Sequence, residues 1–241
     1  MNYLDLHTHT IQSGHGYSTL NENIHSAKEH GLKIYGLSEH TPKMPGSSHT
    51  YFFRNLHVIP DMIQGIRVLK GAELNIMDTD GSFDLDEGTL KGLDYAIASL
   101  HAPCYGRMHS IEENTEAMMN AVKSPYVKIL GHPDDSRYPI EREAIVLACK
   151  ETHTLIEVNN SSMNPKCSRV GGRENMLEML KLCKKHQLPV IFGSDAHYCD
   201  LVGRFEGCEE VCRAADFPEE LIVNKNPELI REYFNVDVNE L

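Results

Sequence analysis

Seven histidines and two acids fall at or just past the ends of short apolar runs, from the first residues of this 241-residue chain to beyond residue 190. The chain opens with Leu4-Asp5-Leu6-His7-Thr8-His9-Thr10 and adds His15. Ser38-Glu39-His40, Gly71-Ala72-Glu73, Ser99-Leu100-His101, Gly131-His132-Pro133 and Gly193-Ser194-Asp195-Ala196-His197 follow. Few folds can use such a pattern. A barrel of parallel strands brings all its strand ends to one rim, so that residues distant in sequence share one metal site.

The spacing between these segments supports the same architecture. Strands are predicted at Tyr3 to Leu6, Ile34 to Leu37, Arg67 to Ala72, Tyr95 to Ser99, Val127 to Leu130, Leu155 to Val158 and Val190 to Phe192. Amphipathic helical stretches lie between or beyond them, at Asn21 to His30, Ile111 to Val122, Glu141 to Thr152, Glu174 to His186, Phe205 to Ala215 and Pro227 to Phe234. Asn21 is read as the cap of the first, and Pro227 suits the first turn of the last. Phe53 to Gly65 also reads as helix, interrupted by Pro60, and Asp78-Thr79-Asp80-Gly81 reads as a hairpin turn. Strand, helix, strand, repeated without a long linker, predicts an α/β fold: one closed or nearly closed barrel of parallel strands over residues 1–241. A doubly wound open sheet is the competing fold, but no glycine-rich phosphate loop follows the first strand.

Asp plus Glu outnumber Lys plus Arg by 35 to 23, a net charge of −12, which argues against long nucleic acid as a partner. The seven cysteines form no C-x-x-C pair, so neither a disulfide framework nor a zinc ribbon is indicated. Cys208 and Cys212, four apart, are expected on one helix face. With no basic-then-apolar leader and no apolar run long enough for a bilayer, the expectation is a cytoplasmic protein without membrane contact.

His7 and His9 are two apart, so a strand presents both imidazoles on one face, and Asp195 and His197 repeat that spacing. A single rim histidine is usually solvated or hydrogen-bonded. An acid or a histidine at nearly every strand end is much harder to attribute to chance. Nine ligands exceed one ion's needs, and imidazoles with a few carboxylates suit zinc, iron or manganese. Two or three ions are therefore expected. Three divalent ions against Glu73 and Asp195 leave the site near +4, which invites a phosphate dianion and a metal-bound hydroxide.

His7-Thr8-His9, Ser38-Glu39-His40, Gly131-His132-Pro133 and Ser194-Asp195-Ala196-His197 together resemble the four motifs of the PHP (polymerase and histidinol phosphatase) family. Length and ligand order most resemble its stand-alone bacterial phosphatases of the YcdX type. The resemblance implies a distorted (β/α)7 barrel with a trinuclear zinc site at the C-terminal rim, manganese or iron being alternatives. It implies that His7, His9, Glu73 and Asp195 hold one ion, and that Glu73 bridges to a second held by His101 and His132. His15, His40 and His197 hold the third.

The expected activity is hydrolysis of small phosphate monoesters by a metal-bound hydroxide attacking in line, with no protein nucleophile. Asp195 or a metal-bound water is expected to protonate the leaving group, and alanine at His9 or Asp195 is the test of the assignment. Arg107, Arg137, Arg169 and Arg204 each follow a strand end and are candidates to clamp phosphate. Asn159, Asn160, Ser161 and Ser162 are expected on the active rim, Lys43 near it, and the amides of Gly171-Gly172-Arg173 are a candidate anion site. The rival readings are a phosphodiesterase or exonuclease acting on nucleotides or short nucleic acid, a non-catalytic metal-binding regulator, and an amidohydrolase. Histidinol phosphate ranks low as a substrate, because the family's histidinol phosphatases are usually somewhat longer. Oligomeric state is left open.

Overall fold

The computed structural model describes residues 1–241. Its strands are β1 (Leu4–Asp5), β2 (Ile34–Leu37), β3 (Met62–Ile63), β4 (Ile66–Asn75), β5 (Tyr95–Ser99), β6 (Val127–Leu130), β7 (Leu155–Asn159) and β8 (Val190–Gly193). The helices are α1 (Leu20–Glu29), α2 (Thr50–Arg54), α3 (Glu87–Leu90), α4 (Ile111–Ala121), α5 (Arg142–Thr152), α6 (Gly172–His186), α7 (Glu206–Ala214) and α8 (Pro227–Phe234). The sheet runs β1-β2-β4-β5-β6-β7-β8 with every neighbour parallel, and only β3 pairs antiparallel, against the start of β4.

Two layers of apolar packing hold this arrangement. Leu4, Leu6, Ile34, Leu69, Tyr95, Ile97, Ile129, Leu155 and Ile191 point into the barrel. Ile230 and Tyr233 of α8, with Val236 and Val238, join the same cluster and plug one end. The opposite faces of the strands pack on the surrounding helices, for example through Met118 of α4, Val146 of α5, Leu180 of α6 and Val211 of α7. The glycines inside strands have a packing reason. A Cβ on Gly36 would lie 2.2 Å from the Tyr95 hydroxyl, and one on Gly71 would lie 2.4 Å from its ring. Their absence lets Tyr95 fill the barrel and donate to the Leu6 carbonyl at 2.6 Å.

Closure is the irregular part. β8 and β1 share no ladder of their own; the polypeptide beyond them touches instead, with Asp195 N–H donating to the His7 carbonyl at 2.8 Å and His9 N–H to Ala196 at 2.8 Å. Lower down, buried Asn224 fills the gap. Its side-chain amide donates to Leu4 and Phe192 carbonyls at 2.9 and 3.0 Å and accepts from Phe192 N–H at 2.7 Å.

Several sequence expectations need correction. The stretch Phe53 to Gly65 is not one helix: α2 ends at Arg54, and Met62–Ile63 turn back on β4 through Gln64 and Gly65, both at positive φ. Phe53 and Leu56 of this stretch pack into the outer core while only Met62 and Ile63 form the hairpin, whose period a helical reading cannot separate over so few residues. β4 runs past Ala72 to Asn75, so Glu73 sits within the strand. Thr19, not Asn21, caps α1, because it forms a reciprocal box with Glu22. Other expectations are met: Pro227 takes the first turn of α8, an Ile76–Phe83 bridge closes the hairpin around Asp78 to Gly81, and Cys208 and Cys212 are both buried on α7.

Candidate metal centre

The strand ends carry the nine sequence-selected residues to one mouth of the barrel. Glu73, wholly buried, is the hub. Its Oε1 lies 3.3, 3.2 and 3.0 Å from Nε2 of His7, His101 and His132. Its Oε2 lies 3.5 Å from His9 Nε2 and 2.7 Å from His40 Nδ1. Asp195 Oδ1 forms a second focus, 3.6 Å from His7 Nε2 and 3.4 Å from His9 Nε2. Two of these residues hold unusual backbone. His132 and Asp195 have φ of 29° and 55° without standing at a helix cap, and such conformations concentrate at functional sites.

Hydrogen bonds on the outer side of the rings decide which nitrogen faces inward. Nδ1 of His7 meets Glu157 at 2.6 Å, that of His9 meets the Ser13 hydroxyl at 3.0 Å, that of His101 meets Asn75 Oδ1 at 2.8 Å, and that of His197 meets the Asp195 carbonyl at 3.0 Å. Each leaves Nε2 with a free lone pair, the tautomer a metal ligand needs. The inward Nε2 atoms of His7, His9 and His197 are buried without a hydrogen-bond partner. Buried polar atoms left unpaired are costly and uncommon in native proteins, and a cluster of lone pairs converging on one volume is resolved by cations. Imidazole nitrogens with two carboxylates are a donor set of the zinc type. The residues present therefore fit divalent ions.

Three compact groups have ligand atoms within 4.8 Å of one another: His7, His9 and Asp195; His40, Glu73 and His101; and His9, His40 and His197. The division differs from the implied one in two respects. His40 faces Glu73 as closely as any ligand does, and His15 belongs to no compact group. His15 is exposed, and its ring stacks beside His40 and His197 at 5.0 and 4.6 Å.

Electrostatics follow from burial. Desolvation opposes a charged His7, but Glu157, Glu73 and Asp195 outweigh it and raise its pKa well above the ordinary range. That surplus of negative charge is what a cation at Nε2 would neutralise. Desolvation lowers His9, and its neighbours His197 and His40 lower it further. Burial would raise Asp195, yet Arg169 and His7 hold it well below the usual carboxylate range.

Sequence reading missed the residues behind the ligands. Glu157 contacts His7 Nδ1 and also accepts from the His132 amide at 2.8 Å, joining two ligand strands. A Cβ on Gly193 would stand 1.9 Å from Glu157 Oε1, so that glycine makes the room. Glu39 accepts from Ser13, Thr10 Oγ1 and Thr10 N–H and thereby steadies the His9 partner. The signal was present: Glu157 interrupts an otherwise apolar buried strand, and a buried charge needs a partner. Glu157→Gln is expected to lower metal affinity about 10- to 100-fold, the usual effect of removing such a support. Metal titration against a chelator checks it, and an unchanged affinity would refute the supporting role.

The cleft above the rim, about 520 Å³, is lined by His15, His40, His101, His132, Asp195 and His197 together with Arg107, Arg137 and Arg169. Arg169 donates to Asp195 at 2.7 Å and to Asn159 at 3.2 Å. Arg204 stands outside, beside Glu206, and Lys43 is exposed and absent from the lining. Asn159, Ser161 and Ser162 are at the rim as expected, but the Asn160 side chain turns away to accept from the amides of Gly207 and Cys208 in α7. Gly171 and Gly172 pack on Ser136 and Asp134 side chains rather than opening to the cleft.

Fold and rim define a β/α barrel whose strand ends gather imidazoles and carboxylates to receive divalent cations. The chain belongs to the PHP family, whose domain it matches over residues 5–161. A probable phosphatase of Clostridium novyi (strain NT) is 47% identical over 230 residues, 95% of this chain and 93% of the relative. A probable phosphatase of Thermoanaerobacter sp. (strain X514) shares the same identity and coverage. Among solved structures, the histidinol phosphate phosphatase of Lactococcus lactis, complexed with zinc, L-histidinol and phosphate, superposes with a TM-score of 0.62 at 17% identity, covering 90% of this chain and 95% of that one. No helix here is long and apolar enough to cross a membrane.

Proposed function

We propose that this chain is a metal-dependent phosphatase that hydrolyses phosphate monoesters of small molecules at a trinuclear zinc centre, the whole of residues 1–241 acting as one unit. The observation that carries the reading is the set of inward-turned, unpartnered imidazole nitrogens around Glu73 and Asp195 at the floor of the cleft. His7, His9, Glu73 and Asp195 would hold one ion, Glu73, His101 and His132 a second, and His15, His40 and His197 the third. Divalent zinc there supplies a water of lowered pKa and a Lewis acid for phosphoryl oxygens; manganese or iron would serve similarly. The phosphatases among the relatives and the zinc and phosphate of the Lactococcus lactis structure support the same chemistry.

The chain's own residues divide the remaining work. Arg169 uses Nη2 on Asp195 and Nη1 on Asn159 and Ser162 and sits at the cleft wall, so its Nε–H and second Nη2–H remain to meet a phosphoryl oxygen. The same contact keeps Asp195 ionised, which favours its role as a ligand over that of proton donor to the leaving group. His9, dry and bound through Ser13 to Glu39, is held rigidly for ligation. The reading carries a small phosphorylated substrate as partner and a cytoplasmic location.

Elemental analysis of freshly purified protein, with p-nitrophenyl phosphate turnover on the same sample, tests the proposal. Close to three metals per chain are expected, with turnover lost on chelation and restored by zinc or manganese. One metal or none, and no turnover after repletion, would overturn it. Preference for a bis-aryl phosphodiester would instead favour the phosphodiesterase reading.

A further inference from the structure

Although the chain carries a net charge of −12, its cleft is lined by three arginines and one carboxylate, Asp195. Arg169 is committed to Asp195 beside the ligands. The other two come from different loops, Arg107 from the one after β5 and Arg137 from the one after β6. The Arg137 guanidinium lies 5.9 Å from the centre of the Tyr138 ring. Asp135 occupies one edge of Arg137 through Nε at 2.7 Å. Arg107 is exposed and has no acidic partner. Met44, Leu100, Ala102 and Pro103 supply the apolar part of the same lining.

We propose that Arg107, supported by Arg137, forms a second anion subsite, and that the preferred substrates are phosphate monoesters carrying a further carboxylate or phosphate group. The inference rests on the phosphatase reading for the position of the reacting phosphate. A guanidinium in a partly enclosed cleft binds carboxylate and phosphate oxygens in the same fork geometry, so either group would be held. A lone phosphate monoester leaves that cation without a partner.

Three ligands of one backbone length separate the possibilities: propylphosphonate, 3-phosphonopropionate and propane-1,3-diphosphonate, titrated calorimetrically into the zinc-loaded protein. The two with a second anion are expected to bind at least about tenfold more tightly than propylphosphonate, a charge-assisted contact being worth roughly that factor. Their relative affinity shows whether carboxylate or phosphate is favoured. Arg107→Gln should shrink the preference to about twofold, and Arg107→Lys should restore part of it. Equal binding of all three, or an Arg107→Gln variant that weakens all three by one common factor, would overturn the subsite. Turnover of p-nitrophenyl phosphate on the same preparation reports on the phosphatase reading alone, so the two failures are distinguishable.

Discussion

Glu73→Gln is expected to lower kcat/KM for p-nitrophenyl phosphate at least about 10³-fold and to remove at least one metal ion per chain. The substitution keeps size and shape, so the wholly buried position stays filled. It removes the one charge that faces His7, His9, His40, His101 and His132 together. It also aims N–H donors at nitrogens whose lone pairs are needed inward. Burial would favour a neutral Glu73, but His101, His40 and His7 hold its pKa well below the usual carboxylate value, so a charge is truly lost. Lewis-acid stabilisation by a bound ion is worth several kcal/mol, and 1.36 kcal/mol is tenfold in rate. Elemental analysis and steady-state kinetics on protein of unchanged circular dichroism check the result. Full metal content with turnover within tenfold of the parent would remove Glu73 from the centre.

Asn224→Ala should be strongly destabilising although it lies outside the rim, costing about 3–5 kcal/mol. Three hydrogen bonds are lost at once, and the Leu4 carbonyl and the Phe192 amide and carbonyl are left in a dry seam. Each buried group so orphaned costs about 1–3 kcal/mol, and broken buried networks account for the upper tail of mutational effects. For a domain of this size each kcal/mol lowers Tm by about 2–4 °C, so a fall of roughly 10 °C is expected in thermal unfolding. A shift under about 3 °C would mean the seam closes without Asn224.

These two positions show unequal legibility. Glu73 could be found because it ends an apolar run and belongs to a series of similar ends, and the repeat itself implied a barrel rim. The parallel strands were legible for the same reason: buried on both faces, they read as short unbroken apolar runs. Asn224 lies in an unremarkable tail and acts through contacts with residues about 32 and 220 positions away, which no local pattern encodes. Glu157 was visible as a charge inside an apolar strand, but its partner His7 is 150 residues distant. The Met62–Ile63 hairpin was lost because two residues define no period. The close approach of His40 to Glu73 depends on ring placement in space, which spacing along the chain does not determine.

The seam has a consequence for the order of events during synthesis. Asp195 meets His7 and His9 across it, and the residues that bridge and plug the barrel, Asn224 and α8, follow all eight strands along the chain. The His7, His9 and Asp195 cluster therefore has no counterpart in a partly made chain, and its formation waits for a contact of very long sequence separation, the slowest kind to form. An ion received there would clasp the two sides of the seam, contributing to the closed barrel the free energy with which it is bound.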